Sequence, residues 1–475
     1  MRTKIVATLG PSSSTKETMK AMAENGVRIF RLNFSHSDAK HFAPIVKIIR
    51  ELESELGFPL TAMGDLCGPK IRIGEIPNSP VQVELGEEVN LGLPDLADKG
   101  DKKLFIPLDM PALLEGLDKG MAVSLSDGML QFEVTEVVEK DRLFVMRAHN
   151  QGLLTSNKGI AFPGKSHALP AMTDKDRKDL HEGMEMGMDA VALSFVQTRK
   201  DIEDIKAEIA KHDRWIPVIA KIERRNAFDN LDSILSLTDG AMVARGDLGL
   251  ECSLAELPVI QKKIIRACRH HQKACIVATQ MLLSMVKNPI PTRAETTDVA
   301  NAIMDGADCV MLSEETAVGT YPVDTVKYMS QIAAEAEEYY LERIPAPYKP
   351  RDGKDIPKYL AYSACLLAQN SESKALVSHS QTGGTVRILS SRRPYMPIYG
   401  LTPDNSVLHY LSFFWGVRPV LADESIENHT LRVQDFVDKC GDFAHGEDVV
   451  LTSGQPTPGQ PDGQTPTNAI KLYYK

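Results

Sequence analysis

The chain has 475 residues, of which 43% are hydrophobic and 25% charged, an ordinary composition for a soluble globular protein. Its net charge of −10 disfavours a nucleic acid partner, because an acidic surface repels phosphate backbones. The seven cysteines form no C-x-x-C pair, and no apolar run approaches about 18 residues, so we expect a cytoplasmic protein without disulfides or membrane spans.

Eight short apolar runs recur along the chain, separated by stretches with helical spacing. The runs do not alternate between polar and apolar residues, so both faces of each strand should be buried, as in a parallel sheet. Eight such strands with crossover helices predict an α/β fold of the (β/α)8 TIM barrel type. An open doubly wound sheet is the alternative, but no G-x-G-x-x-G motif follows the first strand. The runs are 4–10, 27–35, 60–66, 189–196, 216–223, 240–247, 274–281 and 308–315.

Two regions interrupt this pattern. Residues 73–162 alternate polar and apolar positions between Gly, Asp and Pro turns, which predicts a small all-β domain inserted in the barrel. Residues 341–475 begin with a proline-rich linker and continue as a separate αβ unit. Its predicted helices are 357–370 and 384–391, and its predicted strands are 374–379, 396–402, 417–422, 448–454 and 469–475. The barrel itself would then occupy residues 1–72 and 163–340.

Charged residues stand at the C-terminal ends of the predicted strands, where the working residues of such barrels lie. Lys221 and Glu223 are two positions apart and so share a face, and Asp247 ends the next strand. The two carboxylates are ligands that Mg²⁺ prefers, and Lys221 would lie over phosphoryl oxygens as a fixed charge. The alternative is a structural cluster of ion pairs.

Further residues at this rim suit an anionic ligand. The amides of Gly246 and Asp247 lead into a helical stretch and could bind a carboxylate or phosphate, although a plain strand-to-helix turn is as good an interpretation. Arg31 and Arg72 flank the same mouth, and guanidinium groups suit bidentate phosphate contacts. Either arginine alone also suits an ordinary ion pair.

Two hydroxyls and two loop charges have weaker functional interpretations. Thr279 and Ser313 could relay a proton to a carbon centre, or could simply bond the backbone. Asp127 and Lys158 lie in the inserted domain and are solvated loop charges unless that domain closes over the barrel as a lid.

The segment 378–385 follows a predicted strand and opens a helix. Its hydroxyls, glycines and helix N-terminus together could cradle a phosphate, or could form an ordinary capped helix start. A cradle outside the barrel would be regulatory. The candidate phosphate ligands are Ser378, Ser380, Thr382, Gly383 and Thr385.

The segments that carry these residues resemble, in chain order, the signature segments of the pyruvate kinase family. They are KIVATLGPSS, FRLNFSH, GDLCGPKIR, LSFV, AKIE, MVARGDLG, ATQML and MLSEETAVGTYP. The resemblance implies phosphoryl transfer from phosphoenolpyruvate to ADP, giving ATP and pyruvate in the last step of glycolysis. It also implies Mg²⁺ or Mn²⁺ as cofactor, a homotetramer, and an inserted domain that acts as a mobile lid.

The resemblance assigns catalytic roles by position. Lys221 resembles the main catalytic cation, and Arg31 the arginine that steers the phosphoryl group. Glu223 and Asp247 resemble the divalent-metal ligands. The pocket for the phosphoenolpyruvate carboxylate is implied at Gly246, Asp247 and Thr279, and the proton route to the enolate at Ser313 and Glu315.

The resemblance also implies sites for the nucleotide and for a monovalent cation. Nucleotide phosphates would contact His36, Arg72 and Lys158. The monovalent-cation site would consist of Asn33, Ser35, Asp65 and the carbonyl of Leu66.

Two features differ from the usual sequences of this family, one at residue 70 and one in the loop at 378–385. Lys70 stands where potassium-dependent members carry glutamate, and a tethered ammonium can replace the charge of a mobile ion, so we expect activity without K⁺. The loop at 378–385 only loosely resembles effector loops, so a sugar phosphate or AMP are both candidate effectors. Two rival functions are a metal-dependent lyase that uses a pyruvate enolate and a non-catalytic sensor of sugar phosphates.

Overall fold

The computed structural model describes residues 1–69, 71–99, 103–126, 128–165, 169–344, 346–350, 354–426, 428–454 and 467–475. The chain starts with three buried strands and two helices. These are β1 (Lys4–Thr8), α1 (Lys16–Glu24), β2 (Val27–Asn33), α2 (Ala39–Leu56) and β3 (Thr61–Asp65). Every residue of β1 and β3 is buried, as expected for strands covered on both faces.

An inserted β unit follows β3. Its strands are β4 (Val81–Val83), β5 (Glu88–Gly92), β6 (Phe105–Pro107), β7 (Ala122–Leu125), β8 (Leu130–Glu139), β9 (Leu143–Ala148), β10 (Gly152–Leu154) and β11 (Ile160–Ala161). Six of them form a sheet in the order β11-β7-β8-β9-β5-β6, and β10 pairs with β4. The unit has its own apolar core, which includes Phe132 and Phe144. It also contains α3 (Pro111–Leu114) and a 3-10 turn, which the sequence pattern did not predict.

The chain then returns to the barrel. The elements are α4 (Asp174–Glu185), β12 (Ala190–Leu193), α5 (Arg199–Ile209), β13 (Val218–Ile222), α6 (Arg225–Asp229), α7 (Leu231–Leu237), β14 (Gly240–Ala244), α8 (Arg245–Glu251), α9 (Leu257–His270), β15 (Ala274–Ala278), α10 (Arg293–Met304), β16 (Cys309–Leu312), α11 (Glu314–Ala317) and α12 (Pro322–Glu342). Eight parallel strands close in the order β1-β16-β15-β14-β13-β12-β3-β2. The predicted barrel is confirmed.

Several predicted strands extended too far at their C-terminal ends. β14 ends at Ala244, so Arg245 and Asp247 lie in α8 and do not close a strand. β16 ends at Leu312, and Glu315 lies in α11. The strands end where the buried apolar run ends. Asp247 and Glu315 stand in the first turns of short helices, where a carboxylate interacts favourably with the helix dipole.

The C-terminal unit is a five-stranded sheet with helices. Its elements are α13 (Ile356–Asn370), β17 (Leu376–His379), α14 (Gly384–Ser391), β18 (Ile398–Thr402), α15 (Asn405–Leu411), β19 (Val417–Leu421), α16 (His429–Lys439), β20 (Asp448–Ser453) and β21 (Ala469–Tyr474). The strand order is β19-β18-β17-β20-β21, with β21 antiparallel to β20. All five strands coincide with predicted runs, whereas α15 and α16 were not predicted. The residue bounds proposed for the domains stay predictions.

The C-terminal unit covers the N-terminal end of the barrel. Apolar side chains inside the barrel, such as Met63 and Ile276, belong to one buried cluster with Phe413 of the C-terminal unit. Hydrogen bonds also cross this seam between the barrel and the C-terminal unit. Tyr410 Oη donates to the carbonyl of Asp239 at 2.7 Å, and Thr61 Oγ1 donates to the carbonyl of His409 at 3.1 Å. None of the helices in the described ranges is both long and apolar enough to cross a membrane.

Candidate active site

A buried cluster of charges lies at the C-terminal end of the barrel, around Lys221 near the end of β13. Its ammonium nitrogen lies 2.7 Å from Glu223 Oε1 and 3.2 Å from Asp65 Oδ1, and it donates to Ser194 Oγ at 2.6 Å. Burial works to lower the pKa of Lys221, but the charges of Asp65 and Glu223 raise it above its usual range. The side chain is therefore held as a cation at the barrel rim.

Asp65 joins this cluster to a second cation. Its other oxygen, Oδ2, accepts a hydrogen bond from Arg31 Nε at 2.6 Å, and Arg31 also donates to Thr8 Oγ1 at 3.1 Å. Burial alone would raise the pKa of Asp65, yet Arg31 and Lys221 together lower it. One carboxylate thus positions two cations that come from distant strands.

A cavity of about 240 Å³ opens beside the cluster, between the barrel rim and the inserted unit. Glu223 and Asp247 line it from the barrel side. Arg72 and Lys158 line it from the chain segments that enter and leave the inserted unit. The guanidinium of Arg72 donates to the carbonyl of Asn157 at 3.1 Å, so these two segments are bonded to each other. The cavity therefore brings four of the predicted site residues together.

Two further charged residues, Arg224 and Glu251, also line this cavity, and their sequence context had suggested no role for them. Their side chains approach to 3.7 Å, and the Arg224 guanidinium lies 5.0 Å from the centroid of the Phe195 ring. Burial raises the pKa of Glu251, against the opposing charge of Arg224. The only available signal was that Arg224 directly follows the AKIE segment.

The two carboxylates of the cavity fit a divalent metal ion. Glu223 Oε2 accepts the amide of Phe195 at 2.8 Å, which fixes the carboxylate at the rim. No group of three or more acidic, histidine or cysteine side chains suited to a metal occurs in the parts of the chain that are described. An ion held by Glu223 and Asp247 would therefore complete its shell with substrate and water oxygens, as Mg²⁺ commonly does.

Thr279 and Gly246 form a second polar group at the rim. The amide of Gly246 donates to Thr279 Oγ1 at 2.9 Å. Thr279 has a φ of 70°, a conformation that is unfavourable for a β-branched residue and recurs at functional sites. Arg245 holds this backbone in place by donating to the carbonyl of Thr279 at 2.6 Å while it pairs with Asp298 at 2.7 Å.

Ser313 and Glu315 form a third polar group, at the end of β16. Ser313 Oγ is buried and has no hydrogen-bond partner within the described ranges. Glu315 accepts the amide of Ser313 at 2.6 Å and that of Leu282 at 3.1 Å, so it fixes the backbone that carries this hydroxyl. Burial raises the pKa of Glu315 against these N–H donors.

Comparison with known proteins identifies the family. Residues 1–326 match the pyruvate kinase barrel domain, and residues 358–472 match the pyruvate kinase alpha/beta domain. The chain belongs to the pyruvate kinase family. It is accordingly a phosphotransferase, and the family's substrates are phosphoenolpyruvate, ADP or ATP, and pyruvate. Neither rival function is supported.

Individual pyruvate kinases match over nearly the whole chain. Pyruvate kinase 2 of Synechocystis sp. is 39% identical over 457 residues, which cover 95% of this chain and 76% of that protein. The pyruvate kinase of Agrobacterium vitis is 39% identical over 458 residues, covering 96% of this chain and 94% of that one. A crystal structure of a pyruvate kinase from Cryptosporidium parvum superposes with a TM-score of 0.88 at 31% identity, and covers 100% of this chain and 96% of the other.

The residues of the expected monovalent-cation site lie close together, since Asn33 pairs with Asp65 across β2 and β3. Asn33 Oδ1 accepts the amide of Ser35 at 3.1 Å, and the carbonyl of Leu66 accepts Ser194 Oγ at 2.6 Å. Asp65 is already bonded to Arg31 and Lys221. Lys70, the proposed replacement for the ion, lies outside the described residues. His36 is exposed, and it is not among the described residues that line the 240 Å³ cavity.

The predicted effector segment 378–385 begins inside β17, which contains Ser378, and ends in the first turn of α14, far along the chain from the barrel rim. Gly383 caps α14 with a φ of 74°, and Thr385 Oγ1 lies 2.6 Å from Thr467 Oγ1. Ser378 Oγ is buried without a hydrogen-bond partner within the described ranges, while the amide of Ser380 donates to Leu401. Thr382 lies directly before the cap.

Proposed function

We propose that this pyruvate kinase transfers the phosphoryl group of phosphoenolpyruvate to ADP at the cluster around Lys221, with Mg²⁺ or Mn²⁺ as cofactor. The observation that carries the proposal is the pair of cations, Lys221 and Arg31, held by one buried carboxylate beside a cavity with two further carboxylates. Fixed charges of this kind stabilise a phosphoryl group during transfer, because they need no reorganisation as the reaction proceeds.

In the first step, an oxygen of the ADP β-phosphate attacks the phosphorus of phosphoenolpyruvate. The bond from phosphorus to the enol oxygen breaks, and its electron pair stays on the enolate. Lys221 and Arg31 spread the charge of the phosphoryl oxygens. Arg72 and Lys158 face the same cavity and hold the diphosphate of the nucleotide. Glu223 and Asp247 would hold the divalent ion, which supplies further neutralisation of the phosphate oxygens when bound.

The carboxylate of phosphoenolpyruvate binds at the start of α8. The amides of Gly246 and Asp247 lie in the first turn of this helix and can donate to it, once Thr279 Oγ1 gives up its bond from Gly246. In the second step, the enolate carbon takes up a proton. Thr279 and Ser313 are the candidate hydroxyls for this proton, and Glu315 positions the backbone of Ser313.

Several finer properties belong to the same proposal. We expect activity without K⁺ because Lys70 stands where potassium-dependent members carry glutamate, and a tethered ammonium can replace the charge of the mobile ion. We expect regulation by a sugar phosphate or AMP at Ser378, Ser380, Thr382, Gly383 and Thr385. We also expect the protein to assemble as a homotetramer in the cytoplasm. The proposed domain bounds are 1–72, 73–162, 163–340 and 341–475, and the second of these domains would act as a lid.

A coupled assay of pyruvate formation tests the catalytic proposal. We expect Lys221→Met to lower kcat by about 10²–10³-fold, because it removes the charge over the phosphoryl oxygens. Lys200→Met is the matched control, since Lys200 is an exposed lysine on α5 that pairs with Asp204. Equal activity of the two variants would overturn the proposal. The same assay in sodium-only buffer tests the expected independence of K⁺.

A further inference from the structure

A second cavity, of about 400 Å³, lies where the C-terminal end of α9 meets the C-terminal unit. Four cationic side chains from three parts of the chain line it. Arg266 and Arg269 come from the last turns of α9, Lys349 from the segment after α12, and Arg392 from the end of α14. None of these residues belongs to the active site or to the loop at 378–385.

The positive charge of Arg392 is buried without an anionic partner among the residues that the structure describes. The residue is 5% exposed, and its guanidinium donates to the carbonyl of Tyr348 at 2.9 Å and to Ser391 Oγ at 3.0 Å. No carboxylate of a described residue lies within 4 Å of it, and Asp355, the acid that acts on it from further away, pairs with Lys358 at 2.7 Å. Burial, with a contribution from Arg269, lowers the pKa of this guanidinium. A buried charge without a counterion is costly.

No carboxylate of the described ranges pairs with the other three cations either. The Arg269 guanidinium lies 3.7 Å from the centroid of the Tyr348 ring, which orients it without compensating its charge. Arg266 and Lys349 are exposed and form no ion pair with a carboxylate in the described part of the chain. The C-terminal ends of α9 and α14 contribute about −0.5 charge each, so about three of the four positive charges remain.

We propose that this cavity binds a small polyanion that carries phosphate groups, of which inorganic diphosphate is the simplest. Guanidinium groups bind phosphate oxygens in a bidentate manner, and here they converge from α9 and α14 on one open cavity. A bound polyanion would join α9 of the barrel to α14 of the C-terminal unit. The start of α9 follows α8, which carries Gly246 and Asp247, so occupancy can influence the active site.

Equilibrium dialysis with radiolabelled inorganic diphosphate tests this proposal on the full chain. The Lys158→Met background weakens binding in the active-site cavity, and adding Thr382→Val weakens binding at the effector loop. We expect one saturable site per chain to remain in this double variant. Adding Arg392→Met or Arg269→Met should weaken that binding about tenfold or more, because each removes charge-assisted hydrogen bonds. Arg343→Met, an exposed arginine outside the cavity, is the control and should leave binding unchanged.

A second pair of variants guards against misfolding. Arg266→Glu and Lys349→Glu reverse exposed charges, so they should fold, and each should weaken diphosphate binding by a similar factor. In the background that carries Lys158→Met and Thr382→Val, rising diphosphate should raise the Tm, and adding any of the four cavity variants should move this rise to about tenfold higher diphosphate. Undiminished binding in all four variants, or a complete loss of binding with Thr382→Val alone, would overturn the proposal. These experiments measure diphosphate binding and Tm, not activity. A failure of this proposal can therefore be distinguished from a failure of the proposed catalytic function.

Discussion

The carboxylate of Asp65 compensates two cations at once, and this makes it the most consequential single residue of the site. The sequence placed Asp65 at a strand end, and resemblance gave it to a monovalent-cation site. Its contacts with Arg31 and Lys221 were not predictable, because the sequence does not show which rim side chains of β2, β3 and β13 contact one another. The φ of 70° at Thr279 was equally hidden, because nothing in a threonine's identity signals it.

Asp65→Asn should reveal this double role through the pH dependence of stability. The folded-state pKa of Asp65 is lowered, so its ionised form stabilises the fold above the unfolded pKa of about 3.9, and this stabilisation is lost as the pH falls below it. We expect the variant to be less stable than wild type by about 3–5 kcal/mol at neutral pH. Urea unfolding at several pH values measures the difference, which should shrink on acidification; a difference independent of pH would contradict the prediction.

Glu223→Gln tests the contribution of this carboxylate to metal binding. The amide oxygen can still accept the N–H of Phe195, so the backbone should stay in place, while a negative ligand is lost. We expect the Mg²⁺ concentration for half-maximal rate to rise about tenfold or more. Tm should fall as well, because Glu223 is one of the two carboxylates that compensate the buried charge of Lys221. Glu203→Gln, on the exposed face of α5, should behave as wild type. Removal of divalent ions with a chelator should abolish activity, and Mg²⁺ or Mn²⁺ should restore it.

At the scale of elements, the sequence predicts what is buried and apolar and fails where that signal is absent. The eight barrel strands and the five C-terminal strands are apolar runs, and all were predicted. α15 is only seven residues long and buries five consecutive side chains, so it has no polar face to create a helical period. α16 buries only Arg432, Val433 and Val437, which leaves too weak an apolar stripe to detect.

Asp176 connects two elements at the point where the chain enters and leaves the inserted unit. In the capping box of α4 its side chain accepts the amide of Thr173 at 2.9 Å, and it also accepts the amide of Gly68, beyond β3, at 3.0 Å. We expect Asp176→Ala to lower the free energy of unfolding by about 2–4 kcal/mol, because it removes a cap and leaves a buried donor without a partner. The more exposed capping box of α5 provides the control, Asp201→Ala, which should cost about 1 kcal/mol in the same urea titration. Equal losses would show that the bond to Gly68 contributes no more than the bond that Asp201 accepts from the amide of Gln197 at 3.0 Å.

At the scale of the whole molecule, a histidine lies at the seam between barrel and C-terminal unit. His409 of α15 contacts Glu53 of α2 at 2.8 Å, faces Asp189 at 3.7 Å, and has Arg50 beside it. Burial works to lower the pKa of His409, but the two carboxylates raise it overall, against the charge of Arg50. Protonation of this residue therefore strengthens the contact between the two units.

The seam should weaken as the pH rises. The stabilisation from protonated His409 is complete below the unfolded pKa of about 6.5 and is lost as the pH passes the raised folded value. We expect the Tm of wild type to fall between about pH 6 and 8, and His409→Gln to remove much of this slope. His445→Gln, an exposed histidine, should leave the slope unchanged. A wild-type slope that survives in His409→Gln would contradict the prediction.

The seam also bears on how the protein is made. Phe413 and Tyr410 complete the apolar cluster that includes the inner side chains of the barrel. The N-terminal end of the barrel therefore stays uncovered until the ribosome has released the segment around α15. β1 in turn waits for β16 before the ring can close. A nascent chain halted after α12 would expose apolar side chains at the N-terminal end of the barrel. We expect such a fragment to depend on chaperones or to aggregate.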